Sequence, residues 1–213
     1  MVRLSRIEQK ERRELEKKFL AIFKNLAKSR GWEFLKPTAF RQIGDWFVTL
    51  GPSIYLDEVK AHIGFKIKPI SIDSLITEIA HGRPLDRHPL SLLARGPHCL
   101  TSDYLTEPLP PTGPADLMLS HAEGFMAEVE KIAQSFSLED FYKFESRESS
   151  RGDVSQNALM AKVIAGDFVE ARKLIEQSRK VGLSGFTRTP LDQIELWIEK
   201  HKFRKHKFRG HNT

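Results

Sequence analysis

Apolar residues recur along the first thirty positions at helical steps. Leu15, Phe19, Ile22, Phe23 and Leu26 follow one another at spacings of one, three or four, with Lys and Arg on the other side. Ser5 stands three residues before Glu8, the form of a capping box. Gly31 is a natural terminator. The pattern predicts a helix over residues 6–29.

Between residues 32 and 70 the period shortens. Trp32, Phe34, Phe40, Trp46, Phe47, Val48, Ile54, Tyr55, Phe65 and Ile67 are residues of pleated surfaces. Ile43-Gly44-Asp45 lies between two such runs and reads as a hairpin turn. His62 to Lys68 alternates polar with apolar, which predicts a strand with one wet face. The expectation is an antiparallel meander of three or four strands, followed by a short helix near 73–80 capped by Ser71 or Asp73.

Residues 81–115 are interrupted at Pro84, Pro89 and Pro97 and carry no clear period. Cys99, Leu100 and Tyr104 are candidates for one more strand. The prolines of TEPLPPTGPAD, residues 106–116, exclude a helix or a central strand and predict a stiff connector.

Leu117, His121, Phe125, Val129, Ile132 and Phe136 share one face of a helix near 115–136, and Ser137 to Asp140 cap a shorter one. A helical hairpin over 155–165 and 168–181, turned at Gly166-Asp167, has small Ala161, Ala165 and Ala171 for close packing. Thr189-Pro190 opens the last helix, with Pro190 expected at its first position. Its apolar stripe, Leu191, Ile194 and Ile198, does not reach Phe203, so the chain is expected to project from about His201 onward. The whole predicts an α+β fold: an N-terminal helix and short antiparallel sheet of three to five strands, then a helical C-terminal half. The divisions are 1–105 for helix plus sheet, 106–116 for the connector, 117–200 for the helical half and 201–213 for a basic tail.

Charge changes this picture more than composition does. The chain of 213 residues has a net charge of +6, but its ends and its middle differ. Residues 1–30 hold ten Lys or Arg against four acids, and residues 200–213 hold six against none. The remaining stretch is acidic by six charges. Two basic ends can bind a polyanion, or fold back on their own acidic body. On the first alternative the contacts are Arg12, Arg13, Lys17, Lys24 and Lys28, with Lys202, Phe203, Arg204, Lys205, Lys207, Phe208 and Arg209 of the tail, whose two rings can stack on bases.

Catalytic chemistry has few candidates. No phosphate loop, dinucleotide fingerprint, nucleophile elbow or His-Glu-x-x-His occurs. His81, His88, His98 and Cys99, with Asp86 and Asp103, lack metal-ligand spacing. An enzyme would need two of His62, His81, Asp86 and His98 to converge in one cleft. No cofactor and no metal is expected. Trp32, Trp46 and Trp197 are expected as core anchors. A single cysteine, no signal-type run and no membrane-length apolar stretch point to a cytosolic home without membrane contact. The leading expectation is a non-catalytic bacterial adaptor or immunity-like protein with a protein partner, met through a sheet edge near Tyr55 or through the acidic body. The second is a nucleic-acid-associated accessory protein using the basic ends.

Overall fold

The computed structural model describes residues 5–55, 60–83, 103–110, 115–147, 153–184 and 190–201. It has an N-terminal helix, a five-stranded antiparallel sheet and a helical C-terminal half, the α+β architecture that the periodicities predict. The chain divides into two compact units, Met1–Ile67 with Asp103–Ser135, and Lys68–Ser102 with Phe136–Thr213.

The first unit is built on α1 (Arg6–Ser29), the sheet and α3 (Ala115–Ser135). Ser5 Oγ accepts from the Glu8 amide and Glu8 accepts from the Ser5 amide, so the capping box forms as its spacing predicts. At the other end Trp32 N–H donates to the Ala27 carbonyl and Gly31 N–H to that of Lys28. This is a Schellman stop, with Gly31 at a φ of 75° that only glycine adopts cheaply. The sheet runs in the order β1 (Glu33–Leu35), β2 (Thr38–Ile43), β3 (Trp46–Tyr55), β4 (Lys60–Pro69), β5 (Leu105–Pro108). Ile43 pairs with Trp46 across Gly44-Asp45. Gly44 has a φ of 57° and Asp45 does not have a positive φ, the pattern of a type II′ hairpin turn. The strand expected around Cys99, Leu100 and Tyr104 starts just after Tyr104, while Cys99 and Leu100 lie outside the described residues. The first residues of the proline-rich run thus form an edge strand, where Pro108 costs no central hydrogen bond.

Asp103, just ahead of β5, lays its carboxylate against Gly64 of β4. A Cβ at Gly64 would stand 2.6 Å from Asp103 Oδ1, inside any allowed contact. Gly64→Ala is therefore expected to destabilise the fold by about 1–2 kcal/mol, an overpacking cost. Asp103→Ala should remove most of that penalty in the double variant, read from urea midpoints. Equal penalties in both backgrounds would show that the carboxylate is not what excludes the methyl.

The second unit is helical: α2 (Ile70–His81), α4 (Leu138–Arg147), α5 (Gln156–Ala165), α6 (Phe168–Val181) and α7 (Leu191–His201). A two-residue parallel ladder, β6 (Val154–Ser155) with β7 (Leu183–Ser184), joins the start of α5 to the segment after α6. Helix α5 packs on α2, α4 and α6 and buries Ala158, Leu159, Met160 and Ala161 in succession, so this turn is buried on every side. Ala161 and Ala171 are buried as expected, but Ala165 is exposed at the end of its helix. Ser137 and Asp140 cap α4 reciprocally. Helix α7 starts at Leu191, one residue after the expected Pro190, whose carbonyl accepts from Gln193 and Ile194.

Two differences from the sequence reading have one cause. Helix α2 begins at Ile70 rather than near Asp73, with Pro69 at its N-cap and no side-chain cap. Lys68, placed by alternation on a wet face, is 2% exposed and donates to fully buried Asp73 at 2.5 Å. Asp73 serves as the buried counter-charge of Lys68 instead of as a cap, so the helix starts a turn early.

Candidate polyanion-binding face

Helix α1 turns its packed and its wet sides by different residues than the apolar pattern alone suggests. Phe19, Leu20, Phe23 and Ala27 are buried, while Leu15, Ile22 and Leu26 lie at the half-buried margin. Phe19 and Phe23 stack with ring centres 5.7 Å apart, and Phe23 meets Phe34 of β1 edge-on at 6.2 Å. Arg12 falls on this same face, 6% exposed. Its position seven and eleven residues before Phe19 and Phe23 puts it in line with them, at about 100° per residue. Arg12 therefore belongs to the packed side, and it leaves the set of phosphate-contacting candidates.

Arg13, Lys17, Lys24 and Lys28 are exposed, and the structure adds Arg6 and Lys10 to them. On a helical projection these six fall within an arc of roughly 60°, along about 33 Å of axis. Glu14 at the margin of the arc is held by Lys17 at 2.8 Å, and this contact lowers the Glu14 carboxyl below its ordinary pKa. The other five make no ion pair among the described residues. The row does not fold back on acidic groups of the described chain. Arg6 and Lys10 were legible in the sequence through the spacing 6, 10, 13, 17, 24, 28; reading the apolar side first hid them.

Several basic residues of the body behave differently. Arg179 reaches Asp192 at 2.9 Å and Glu195 at 2.7 Å. Arg172 pairs with Glu199, Lys162 with Glu139 at 3.1 Å and Lys173 with Glu170 at 3.0 Å. These acids are met by cations of the body, whereas Arg6, Lys10, Arg13, Lys24 and Lys28 of α1 stay without an ion pair among the described residues.

The C-terminal end of α1 is anchored. Glu130 of α3 accepts from Arg30 Nη2 at 2.8 Å and from the Trp32 indole N–H at 2.9 Å, and Arg41 Nη1 stands 3.5 Å away. Arg41 also donates to the Arg30 carbonyl at 3.0 Å. Burial raises the Glu130 pKa. The hydrogen bonds from Arg30 and Trp32 and the charges of Arg30 and Arg41 outweigh it, and the net shift is downward. The row is thus carried on a helix fixed in its C-terminal half by aromatic packing and at its end by a charged knot.

The C-terminal candidates Lys202, Phe203, Arg204, Lys205, Lys207, Phe208 and Arg209 lie outside the described residues. His201 does not project: its ring stacks on Trp197 at 4.0 Å, Nδ1 lies 2.8 Å from the Trp197 carbonyl, and Nε2 lies 3.8 Å from Glu78, which also accepts from the Trp197 indole N–H at 3.0 Å. Helix packing supplies its partners, so a tail truncation that spares α7 ends after His201. Trp32, Trp46 and Trp197 are all buried.

Tyr55 ends β3, an interior strand, and the sheet edges are β1 and β5, so no edge strand is centred on Tyr55. Asp57 and Glu58 lie outside the described residues, as do Asp86, His88, His98 and Cys99. His62 sits half-buried on β4 and His81 exposed at the end of α2. No group of three His, Cys, Asp or Glu among the described residues is arranged to hold a metal ion. No described helix is long and apolar enough to cross a membrane. Comparison with protein-family models, with characterised proteins and with solved structures finds no match to this chain.

Proposed function

We propose that this is a binding protein rather than an enzyme, and that the outer row of α1 is its contact surface for an anionic macromolecule. One observation carries the reading: six cations share one exposed face of α1, and five of them make no ion pair among the described residues. Such a row is unfavourable for the helix alone. Like charges at three- and four-residue spacing cost about 0.2–0.5 kcal/mol per pair, and Arg6–Lys10, Lys10–Arg13, Arg13–Lys17 and Lys24–Lys28 are four such pairs. Bringing phosphate or carboxylate groups to the row relieves that repulsion and releases the ligand's counter-ions. With Cys99 the sole cysteine, we place this role in a reducing cytosol.

Retention of the full chain on immobilised heparin tests the reading. The wild-type protein is expected to elute late in a salt gradient, and Arg13→Glu/Lys17→Glu/Lys24→Glu near the void. Removing residues 202–213 measures the tail's share separately. If the triple variant elutes with the wild type, α1 is not the contact surface.

A further inference from the structure

We infer that the anion held by α1 is the phosphate backbone of a double-stranded nucleic acid, gripped without reading its sequence; the inference rests on the binding reading above and adds the class of ligand. Anionic partners differ in what else they require. A protein interface is built around apolar or aromatic anchors at its centre and is poor in Lys. The row offers no such anchor: Phe19, Leu20 and Phe23 face the packed side, and Ile7, though 73% exposed, stands off the arc by roughly 60°. Single strands are held by stacking their bases on exposed rings. The rings of α1 are those of Phe19 and Phe23, both 0% exposed. A helix that lies in a lipid surface inserts its apolar face, and α1 has committed that face to its own unit.

A duplex backbone requires only what the row has. Protein–duplex interfaces are polar and strongly positive. The row extends about 33 Å, close to one turn of the B-form duplex at about 34 Å, so a straight helix laid along the duplex reaches phosphates of both strands where they cross its line, without the nucleic acid bending. Its members are Arg and Lys only, and no folded reading element flanks them on α1, so the contacts fix position but not sequence.

The test is equilibrium binding of the full chain to a mixed-sequence duplex of about two turns, followed by anisotropy. Single-stranded DNA of the same length, polyglutamate of matched charge and phosphatidylserine vesicles serve as competitors. The duplex is expected to compete about tenfold better than each of them, regardless of its sequence. With six phosphate contacts, affinity should fall about a thousandfold between 50 and 200 mM salt. Lys17→Ala and Lys24→Ala should each reduce the salt slope by about one, and Lys131→Ala, on exposed α3 surface, should leave it unchanged. Equal competition by polyglutamate, single strands or vesicles overturns the duplex assignment, as does a strong sequence preference. Heparin retention that is lost on charge reversal, without preference for duplex, sinks this inference alone. Absence of heparin retention sinks the underlying reading with it.

Discussion

Lys68→Met is expected to destabilise the protein by about 3–5 kcal/mol, because it strands the Asp73 carboxylate in the interior. Both side chains are essentially inaccessible, and the 2.5 Å contact ties the end of β4 to the first turn of α2. Asp73→Leu leaves a buried ammonium group and should cost a similar amount. The double variant Lys68→Met/Asp73→Leu removes both charges and keeps most of the volume. It should lie within about 1 kcal/mol of the wild type, on either side, since well-packed apolar pairs often match a buried ion pair. Urea unfolding of the four proteins reads the coupling directly. If the two single penalties simply add in the double variant, the pair is not the reason either residue is buried.

The second large effect is expected at Glu130. Glu130→Ala removes the acceptor for Arg30 and for the buried Trp32 indole N–H, and should cost about 2–3 kcal/mol. Glu130→Gln keeps the shape and one acceptor oxygen and should cost less. The pH dependence separates charge from shape. The Glu130 pKa in the folded protein lies below the ordinary glutamate value of 4.5. Its contribution is therefore complete above that value and is lost as pH falls through the lower, folded one. The stability gap between wild type and Glu130→Gln should be widest near neutrality and close progressively below about pH 4.5. A gap that stays constant into acid would mean that the carboxylate charge does not hold the knot together. Because Glu130 fixes the end of α1, Glu130→Ala should also weaken anion binding, by loosening the row without touching it.

Much of this architecture is written in local patterns. The capping box at Ser5 and Glu8, the glycine stop at Gly31, the two-residue turn at Gly44 and the helical hairpin turned at Gly166-Asp167 all form where residue chemistry puts them. Each depends on a few neighbouring residues, and no distant contact competes with it. Where distant contacts decide, the sequence misleads. Lys68 reads as solvent-facing until Asp73 appears beside it, and Arg12 reads as part of a basic surface until the line through Phe19 and Phe23 shows which way α1 is rolled. Alternation over the seven residues His62 to Lys68 does not reveal a buried ion pair, and a mixed run such as Lys10 to Lys18 satisfies more than one helical face. The candidate face itself was partly legible: four of its six members, Arg13, Lys17, Lys24 and Lys28, follow from counting bases, but that Lys17 alone in the row has an acidic partner needed the positions of the acids.

Salt elution from heparin is the most direct measure of the claim that α1 presents a working cationic face. The wild-type chain should need far more salt than the Arg13→Glu/Lys17→Glu/Lys24→Glu chain, while Lys131→Glu, one charge reversal on α3, should shift elution only slightly. Should the triple variant and the wild type leave the column together, or Lys131→Glu move as far as the triple, the row on α1 has no special role and the account fails.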